Sequence, residues 1–591
     1  MKTFISCAIA LLAVGAGFNS MAGTLAEKAL ADLQAHPASC PDQFDFVVCG
    51  DSRSAVPIVL PEAFYQMIRE WNVLNPSLVL DVGDLVLGGD KDQFAAMWNE
   101  FEKAVGGSKA PFFPLVGNHD VTEEQETNSM FEKRIAPLRY AFDYGNSRFI
   151  ALNTEEIGYL DEFSQDQLDW LKKQLDETKA KNIFLFFHKP IFRSNYEKGW
   201  AKVAEILKGH PVRVVFAGHE HMYTNFGERD GVRYIVTGGG GAETSEVEEE
   251  GGFFHYLWVR VRGEEVTWAV VKPGSILPED VITPDSVKRY RLVQDFARTE
   301  AVEWVYGSPF DRNVEVTLKN PLSDNVTSKL EWDTPKGWHV DPASVPFTLA
   351  AGATSSLRFH LSADSPDAVR FPAPGMIIKL PGTRPGTEIE AKQSLDLIPV
   401  MEAVHASGPV TPDGSLEEWG SVPAAVMSYG FNMDPADGND LKASVRMMWD
   451  DAHLYMAFEV EDNEFSQPYA GDLVWTSDSI EMWLGEWIYS LSLSKNGPQV
   501  FLTKTPIVDV EKVIPEIKLG VKQDGRRTVY EAVFRSEDVA PVALVAGKDF
   551  RFSGLVNDFD PSTPEHTRHW LELTPGAGAH FKCPKVKVVL K

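Results

Sequence analysis

His219 and His221 stand one residue apart in the stretch AGHEHMYT (217–224), directly after the apolar run 212–216. Imidazole is the commonest metal-ligating side chain at neutral pH. A His-x-His pair alone is more often a surface feature than a ligand set, so its meaning depends on its company. Four other apolar runs end in a similar way. The run 44–49 leads into Gly50-Asp51, 77–82 into Gly83-Asp84, 112–116 into Gly117-Asn118-His119-Asp120, and 182–187 into His188. A single Gly-Asp is an ordinary turn pair. Five strand ends carrying Asp, Asp, Asn-His, His and His-x-His combine carboxylate, amide oxygen and imidazole. That mixture suits borderline to hard divalent cations rather than a thiolate zinc site.

Such donors need elements that bring them together. Each run is short and continuously apolar, the pattern of strands in a sheet covered on both faces. Between the runs lie helical patterns over 61–74, 92–105 and 164–178, and Ser164 with Gln167 reads as a capping box. Strand–helix alternation of this kind predicts an α/β sandwich with its chemistry on the loops at the strand ends.

The ordered motifs GDSR, GDLV, GNHD, FHKP and GHEH resemble the calcineurin-like metallophosphoesterases, the superfamily that includes the purple acid phosphatases, over about residues 44–273. The run 235–242 is similar to that family's closing strand and glycine loop, and Tyr223 resembles the purple acid phosphatase pattern. The resemblance implies a four-layer fold, two mixed sheets faced by helices, with two divalent ions of iron, manganese or zinc at one edge. It implies that Asp51 and His221 bind the first ion, that Asp84 bridges, and that Asn118, His188 and His219 hold the second. His119 would be the proton donor or phosphate contact, aligned by Asp120. Two cations about 3.5–4 Å apart clamp an in-line displacement and acidify a bound water. A nearby imidazole assists the leaving alkoxide.

One position departs from the family. Its Asp-x-His is here Asp51-Ser52-Arg53, and Ser54-Ala55-Val56-Pro57-Ile58 supplies no tyrosine of the kind purple acid phosphatases use instead. Arginine stays protonated and is no ligand. The first site therefore keeps Asp51, Asp84 and His221, and Arg53 is either a loop charge or a grip on substrate phosphate.

At 591 residues the chain exceeds one hydrophobic core and should hold several domains. Residues 1–22 read as a secretory leader: Lys2, an apolar stretch over 4–18, then small residues ending at Ala22. That stretch is too short for a comfortable span and no other segment is long and apolar enough, so the predicted location is secreted or periplasmic. A net charge of −29 excludes nucleic acid or anionic membrane as a partner sought by general electrostatics. Cys40, Cys49 and Cys583 remain after the leader, an odd number that leaves at least one unpaired. The acidic run 243–250 reads as a solvated loop at the mouth of the site.

The phosphoesterase-like part is read as 40–275. Beyond it Pro273, Pro278 and Pro284 punctuate a connector, and 291–400 shows alternating runs at 314–318, 328–332 and 355–361 that predict a small β-sandwich. The stretch NPLSDNVTSKLEWDTPKGWHVDP resembles Ig-like domains that space their neighbours. Residues 401–591 predict a second sandwich. The phrases DGSLEEW, ASVRMMWDD, LYMAFEVED and SDSIEMWL resemble family-nine carbohydrate-binding modules. This resemblance implies a polysaccharide or other glycan partner, and structural calcium with no ligand set legible. Trp475, Trp487 and Trp570 are candidates to stack on sugars, whereas Trp419, Trp449 and Trp483 lie in framework phrases and read as core. The chain thus reads as a multidomain, secreted metal-dependent phosphoesterase acting on a phosphomonoester or phosphodiester and targeted to glycans. The alternative is a glycan-binding protein that keeps the phosphoesterase fold with weak or no catalysis.

Overall fold

The computed structural model describes residues 23–591 apart from 56–57, 90, 123, 160–161, 194–196, 246, 432–439, 563–568 and 580–585. The proposed leader and Cys583 lie outside the described residues. The chain divides into two compact units, 1–290 and 291–591.

The first unit runs α1 (Leu25–Ala35), β1 (Gln43–Cys49), α2 (Glu62–Leu74), β2 (Val79–Asp81), α3 (Lys91–Val105), β3 (Phe112–Pro114), α4 (Gln125–Arg134), β4 (Tyr140–Tyr144), β5 (Ser147–Ala151), α5 (Gln165–Glu177), β6 (Asn182–Phe187), α6 (Glu197–Leu207), β7 (Val212–Ala217), β8 (Tyr223–Arg229), β9 (Val232–Thr237), β10 (Tyr256–Arg262), β11 (Glu265–Lys272) and β12 (Ser275–Pro278). One sheet has the order β12-β11-β10-β1-β2-β3, the other β4-β5-β6-β7-β9-β8. In each, the central strands are parallel and an antiparallel strand joins them, so both sheets are mixed. Their inner faces meet over Phe46, Phe113, Phe149, Phe184, Phe186 and Phe216. These rings stack closely, with Phe113 and Phe142 4.1 Å apart at 15°. The outer face of the first sheet is covered by Phe64 and Trp71 of α2 and by Trp98 and Phe101 of α3. Leu168, Leu171 and Leu175 of α5 and Val203 of α6 cover the second. This is the four-layer sandwich, and it explains why every residue of β6 is buried: both faces of that strand are covered.

Local details depart from the sequence reading. Ser164 does cap α5, accepting from the Gln167 N–H at 3.2 Å, but Gln167 does not return the bond. Its side chain instead accepts from the Asn153 N–H and donates to the Asn153 carbonyl, tying the helix start to the end of β5. The unit also begins ahead of residue 40: Thr24 and Glu27 form a reciprocal capping box for α1, which buries Ala26, Ala29 and Leu33. The proline-punctuated connector contributes β12 as a sixth strand.

In the second unit, strands 297–299, 311–319, 354–363 and 338–341 form one antiparallel four-stranded sheet, and 344–349, 326–333, 375–381 and 388–394 form another. They close over Trp304, Phe310, Trp332, Trp338 and Phe359. The remaining strands build a larger β-structure around Met447, Met456, Phe458, Met482, Tyr489, Phe534 and Phe552. Its two layers share the strand Leu397–His405, which pairs with 586–590 early and with 441–449 at its end. Trp419, Trp449 and Trp483 are buried, as the sequence reading expects. Trp419 is held by Glu531, whose carboxylate accepts its indole N–H at 2.7 Å and the N–H groups of Asp413, Gly414 and Ser415. The phrase DGSLEEW is therefore a loop wrapped around one buried acid.

Candidate metal centre

The loops after β1, β2, β3, β6 and β7 converge at one edge of the two sheets and are laced by backbone bonds. Asp51 N–H donates to the Gly83 carbonyl at 2.8 Å, Gly218 N–H to that of His188 at 2.9 Å, and Ala242 N–H to that of Asp51 at 2.7 Å. Asp51, Asp84 and His219 take left-handed backbone conformations, with φ of 58°, 59° and 69°. Such conformations are uncommon for non-glycine residues, and three of them converge on this edge. The glycines ahead of them serve close approach: a Cβ on Gly117 would lie 2.4 Å from Asp84 Oδ1, and one on Gly218 2.5 Å from Asp51 Oδ2.

Three imidazoles are aimed by backbone carbonyls. His188 Nδ1 lies 2.9 Å from the Val82 oxygen, His221 Nδ1 2.8 Å from that of Glu243, and His119 Nδ1 2.6 Å from that of Leu87. With Nδ1–H donating, each ring turns its Nε2 to the centre, the arrangement that orients metal-bound histidine at His188 and His221. His188 Nε2 stands 3.2 Å from Asp84 Oδ1 and 3.0 Å from Asn118 Oδ1. Two donors about 2.1 Å from one ion, at angles of about 90–109°, stand about 3.0–3.4 Å apart, so these spacings fit a shared ion. Asp84, His188 and His219 form one group able to hold a cation, and Asp51, Asp84 and His221 a second. The sequence-predicted ligands Asp51, Asp84, Asn118, His188, His219 and His221 are thus brought together.

The electrostatics match a centre built for positive charge. Burial pushes the carboxyl of Asp51 well above the usual range. Burial opposes charge on His188, yet the Asp84 carboxylate outweighs it and lifts that imidazole to about 10. Burial and the neighbouring His188 push His219 down to about 4. Beneath the centre, burial raises Asp81 to about 7, and the Cys49 thiol donates to its carboxylate at 3.5 Å.

Asp120 and Tyr223 play other parts than the motifs suggest. Asp120 does not align His119. It accepts the N–H groups of Asp84, Leu85, Val86 and Gly117, fixing the loop that carries the bridging carboxylate, while Leu87 orients His119. His119 Nε2 faces the centre, 3.9 Å from Asp84 Oδ2. Tyr223 is buried and its hydroxyl donates to the Glu279 carbonyl, away from the ligands. Arg53 does enter the centre: its Nη2 stands 3.5 Å from His221 Nε2 and its Nε 3.5 Å from Asp84 Oδ2. The acidic run meets the site through the Glu243 carbonyl. Sequence reasoning missed Glu155, which pairs at 2.6 Å with Lys189 beside His188. The signal was present, because β5 is another apolar run that ends in polar residues, Asn153-Thr154-Glu155.

The second unit holds a carboxylate cluster. Ligand atoms of Asp462, Asp478 and Asp558 lie within 4.8 Å of one another. His569 Nε2 stands 3.0 Å from Asp558 and 3.1 Å from Asp440. Asp558 Oδ1 is buried without a hydrogen-bond partner. Burial, joined by neighbouring carboxylates, raises Asp478 to about 9 and Asp462 to about 6. Of the candidate sugar-stacking residues, Trp475 is 45% exposed. Trp487 packs against the main core and Trp570 against Trp483 and Leu555. Both donate their indole N–H internally, to the Ala540 carbonyl and to Glu572.

Comparison with known proteins matches these two regions. The family description "Calcineurin-like phosphoesterase" fits residues 44–223, and "Carbohydrate family 9 binding domain-like" fits residues 413–489. A Moraxella catarrhalis protein named "Probable cyclic nucleotide phosphodiesterase" is 28% identical over 177 residues, 28% of this chain and 61% of that relative. An Arcobacter nitrofigilis protein named "Probable glycerophosphodiester phosphodiesterase GpdQ" is 28% identical over 176 residues, 27% of this chain and 63% of that relative. The chain thus spans only 61% and 63% of the length of these relatives. Among solved structures, a dimetal phosphatase from Danio rerio is 17% identical, covering 38% of this chain and 98% of the other with a TM-score of 0.31. A family 9 carbohydrate-binding module from Caldicellulosiruptor kristjanssonii in complex with cellotriose is 16% identical, covering 32% and 93% with a TM-score of 0.26. Residues 44–223 of this chain are a calcineurin-like phosphoesterase domain, and its C-terminal part carries a family 9 carbohydrate-binding-like domain.

Proposed function

We propose that this chain is an exported, metal-dependent phosphoesterase that cleaves a phosphodiester and is held near glycans by its C-terminal domain. One observation carries the catalytic part: His188 Nε2, Asp84 Oδ1 and Asn118 Oδ1 converge at ligand spacing, with the His188 ring already aimed by the Val82 carbonyl. Asp84, Asn118, His188 and His219 would hold a divalent ion of iron, manganese or zinc. Such an ion acidifies a bound water and polarises a phosphoryl oxygen. The chain's own residues do the rest. The Val82 and Leu87 carbonyls fix the imidazoles, Asp120 fixes the Asp84 loop, and His119, half exposed with Nε2 facing inward, gives a proton to the leaving alkoxide. The diester preference rests on the names of the two bacterial relatives.

The acid cluster Asp462, Asp478 and Asp558 fits a structural calcium, because hard oxygen donors and an unpaired buried Asp558 oxygen call for a cation. Trp475 is the tryptophan best exposed to meet a sugar. Export rests on the leader-like residues 1–22, and the Ig-like middle sandwich serves as a spacer. No described helix is long and apolar enough to cross a membrane. The test is metal analysis of the purified chain with a parallel screen of phosphomonoesters and phosphodiesters. Metal bound with diester turnover supports the proposal. No metal and no turnover leaves the glycan-binding alternative.

A further inference from the structure

The family fold implies two metal ions, but Arg53 stands where the first would be bound. We propose that its guanidinium takes the place of the first cation, so that the centre holds one tightly bound divalent ion, at Asp84, Asn118, His188 and His219. The catalytic consequence rests on the phosphoesterase reading; the metal count does not.

Asp51 and His221 are themselves spaced for an ion, with His221 Nε2 3.5 Å from Asp51 Oδ1. What opposes one is the occupant. His221 donates its Nδ1–H to the Glu243 carbonyl, so Nε2 has a single lone pair for the centre, and Arg53 Nη2 faces it at 3.5 Å. One lone pair cannot serve an N–H donor and a metal together. The same guanidinium places Nε 3.5 Å from Asp84 Oδ2, the oxygen of the bridging carboxylate turned away from His188. Its positive charge already offsets that of the Asp84 carboxylate and it faces the His221 lone pair, two of the groups that a first cation would bind, and it repels a second positive charge beside it. Arg53 is not an arm free to leave. Its side chain is only 14% exposed. Its own N–H donates to the Asp84 carbonyl at 3.1 Å, and its neighbour Asp51 is tied to Gly83 and Ala242. At the other position the nearby Lys189 ammonium is turned to Glu155 at 2.6 Å.

A guanidinium is a permanent cation with a planar fork that matches two phosphate oxygens. In this place it would grip the substrate phosphate from the side opposite the bound ion. It supplies fixed charge and orientation and does not activate water.

The experiment uses the full chain, with 1 mM calcium present throughout to keep the C-terminal acid cluster filled. Wild type, Arg53→His and Arg53→Ala are saturated with zinc, desalted and assayed for zinc per chain by mass spectrometry, with circular dichroism to check folding. Wild type should retain one zinc and Arg53→His two. Arg53→Ala should lose about 10–100-fold in kcat/KM on the diester, the scale of a charged hydrogen bond. Two zinc ions in wild type, or one in a folded Arg53→His, overturn the assignment. The wild-type count is decisive even if a variant fails to fold. A wild-type count of zero would instead overturn the metal-centre reading itself, so the two failures are distinguishable.

Discussion

Stripping cations from this protein should destabilise its C-terminal β-structure strongly at pH 8 and weakly at pH 5. Asp462, Asp478 and Asp558 crowd three carboxylates within 4.8 Å in a buried place. Burial raises Asp478 to about 9 and Asp462 to about 6. A carboxyl whose folded pKa lies above its unfolded value near 3.9 costs nothing below that value, and its destabilisation grows until pH reaches the folded pKa. At pH 5 about half of the Asp462 window and only the start of the Asp478 window have been crossed. At pH 8 all of the Asp462 window and most of the Asp478 window lie behind. His569 works the other way. Its hydrogen bond to Asp558 raises it to about 9, so its stabilising charge contributes fully below about 6.5 and is lost progressively from there up to about 9, which adds to the difference between pH 5 and pH 8. The uncompensated carboxylates therefore destabilise the stripped protein more at pH 8 than at pH 5. Calcium at about a hundredfold excess over its dissociation constant should return about 2.7 kcal/mol, an increase of about 5–10 °C in the melting temperature of a domain of about 190 residues. Differential scanning calorimetry of metal-stripped protein, with and without 1 mM calcium at both pH values, measures this. Asp478→Asn should remove most of the pH dependence in the stripped protein. Equal calcium shifts at pH 5 and pH 8, or none at either, would refute the reasoning.

Asp84→Asn should strip the metal centre and lower diester hydrolysis by at least about 10²-fold, the scale of losing a preorganised charge contact, with an unchanged far-ultraviolet spectrum. Full metal content with wild-type turnover would sink the assignment. His119→Ala should cost about 10²-fold or more on esters with alkoxide leaving groups and far less on nitrophenyl esters, whose leaving group needs no proton. An equal loss on both would mean that His119 is no proton donor. Glu531→Ala leaves the indole N–H of Trp419 and three backbone N–H groups without their acceptor, and should lower the stability of the last β-structure by about 3 kcal/mol or more in a urea melt.

The metal centre was legible because its ligands obey a local rule: an apolar strand, then a donor, with a glycine between them everywhere but at His188. Strand burial follows from side-chain hydrophobicity, and the glycine from the closeness of neighbouring loops, so both leave a mark in the sequence. The orienting groups leave none. The carbonyls of Val82, Leu87 and Glu243 that aim the imidazoles are backbone atoms, and any residue type would supply them. Asp120 was found but given the wrong task, since adjacency to His119 in the chain says nothing about which loop its carboxylate reaches. The acid cluster of the second unit was not seen because Asp440, Asp462, Asp478, Asp558 and His569 are scattered over about 130 residues and meet only through the pairing of distant strands. Trp570 reads like any other exposed-strand aromatic until Glu572, two residues on, turns out to hold its indole N–H at 2.8 Å.

The two acid-rich sites differ in how their geometry is held. In the first unit, Asp51, Asp84 and His219 sit in left-handed conformations that cost about 1–3 kcal/mol each, a cost that the surrounding structure must offset. The offset is visible without any ion: a doubly covered pair of sheets with a continuous ladder of phenylalanines, and loop-to-loop backbone bonds beneath each ligand. Asp84 there also has a cationic neighbour within the protein, Arg53. Asp462 and Asp478 in the second unit are raised by each other and by Asp558, while His569 pairs with Asp440 and Asp558. A metal at the first site therefore meets a preassembled set and adds reactivity, whereas a cation at the second relieves repulsion and adds stability. That difference follows from which carboxylates the chain pairs with its own positive charges.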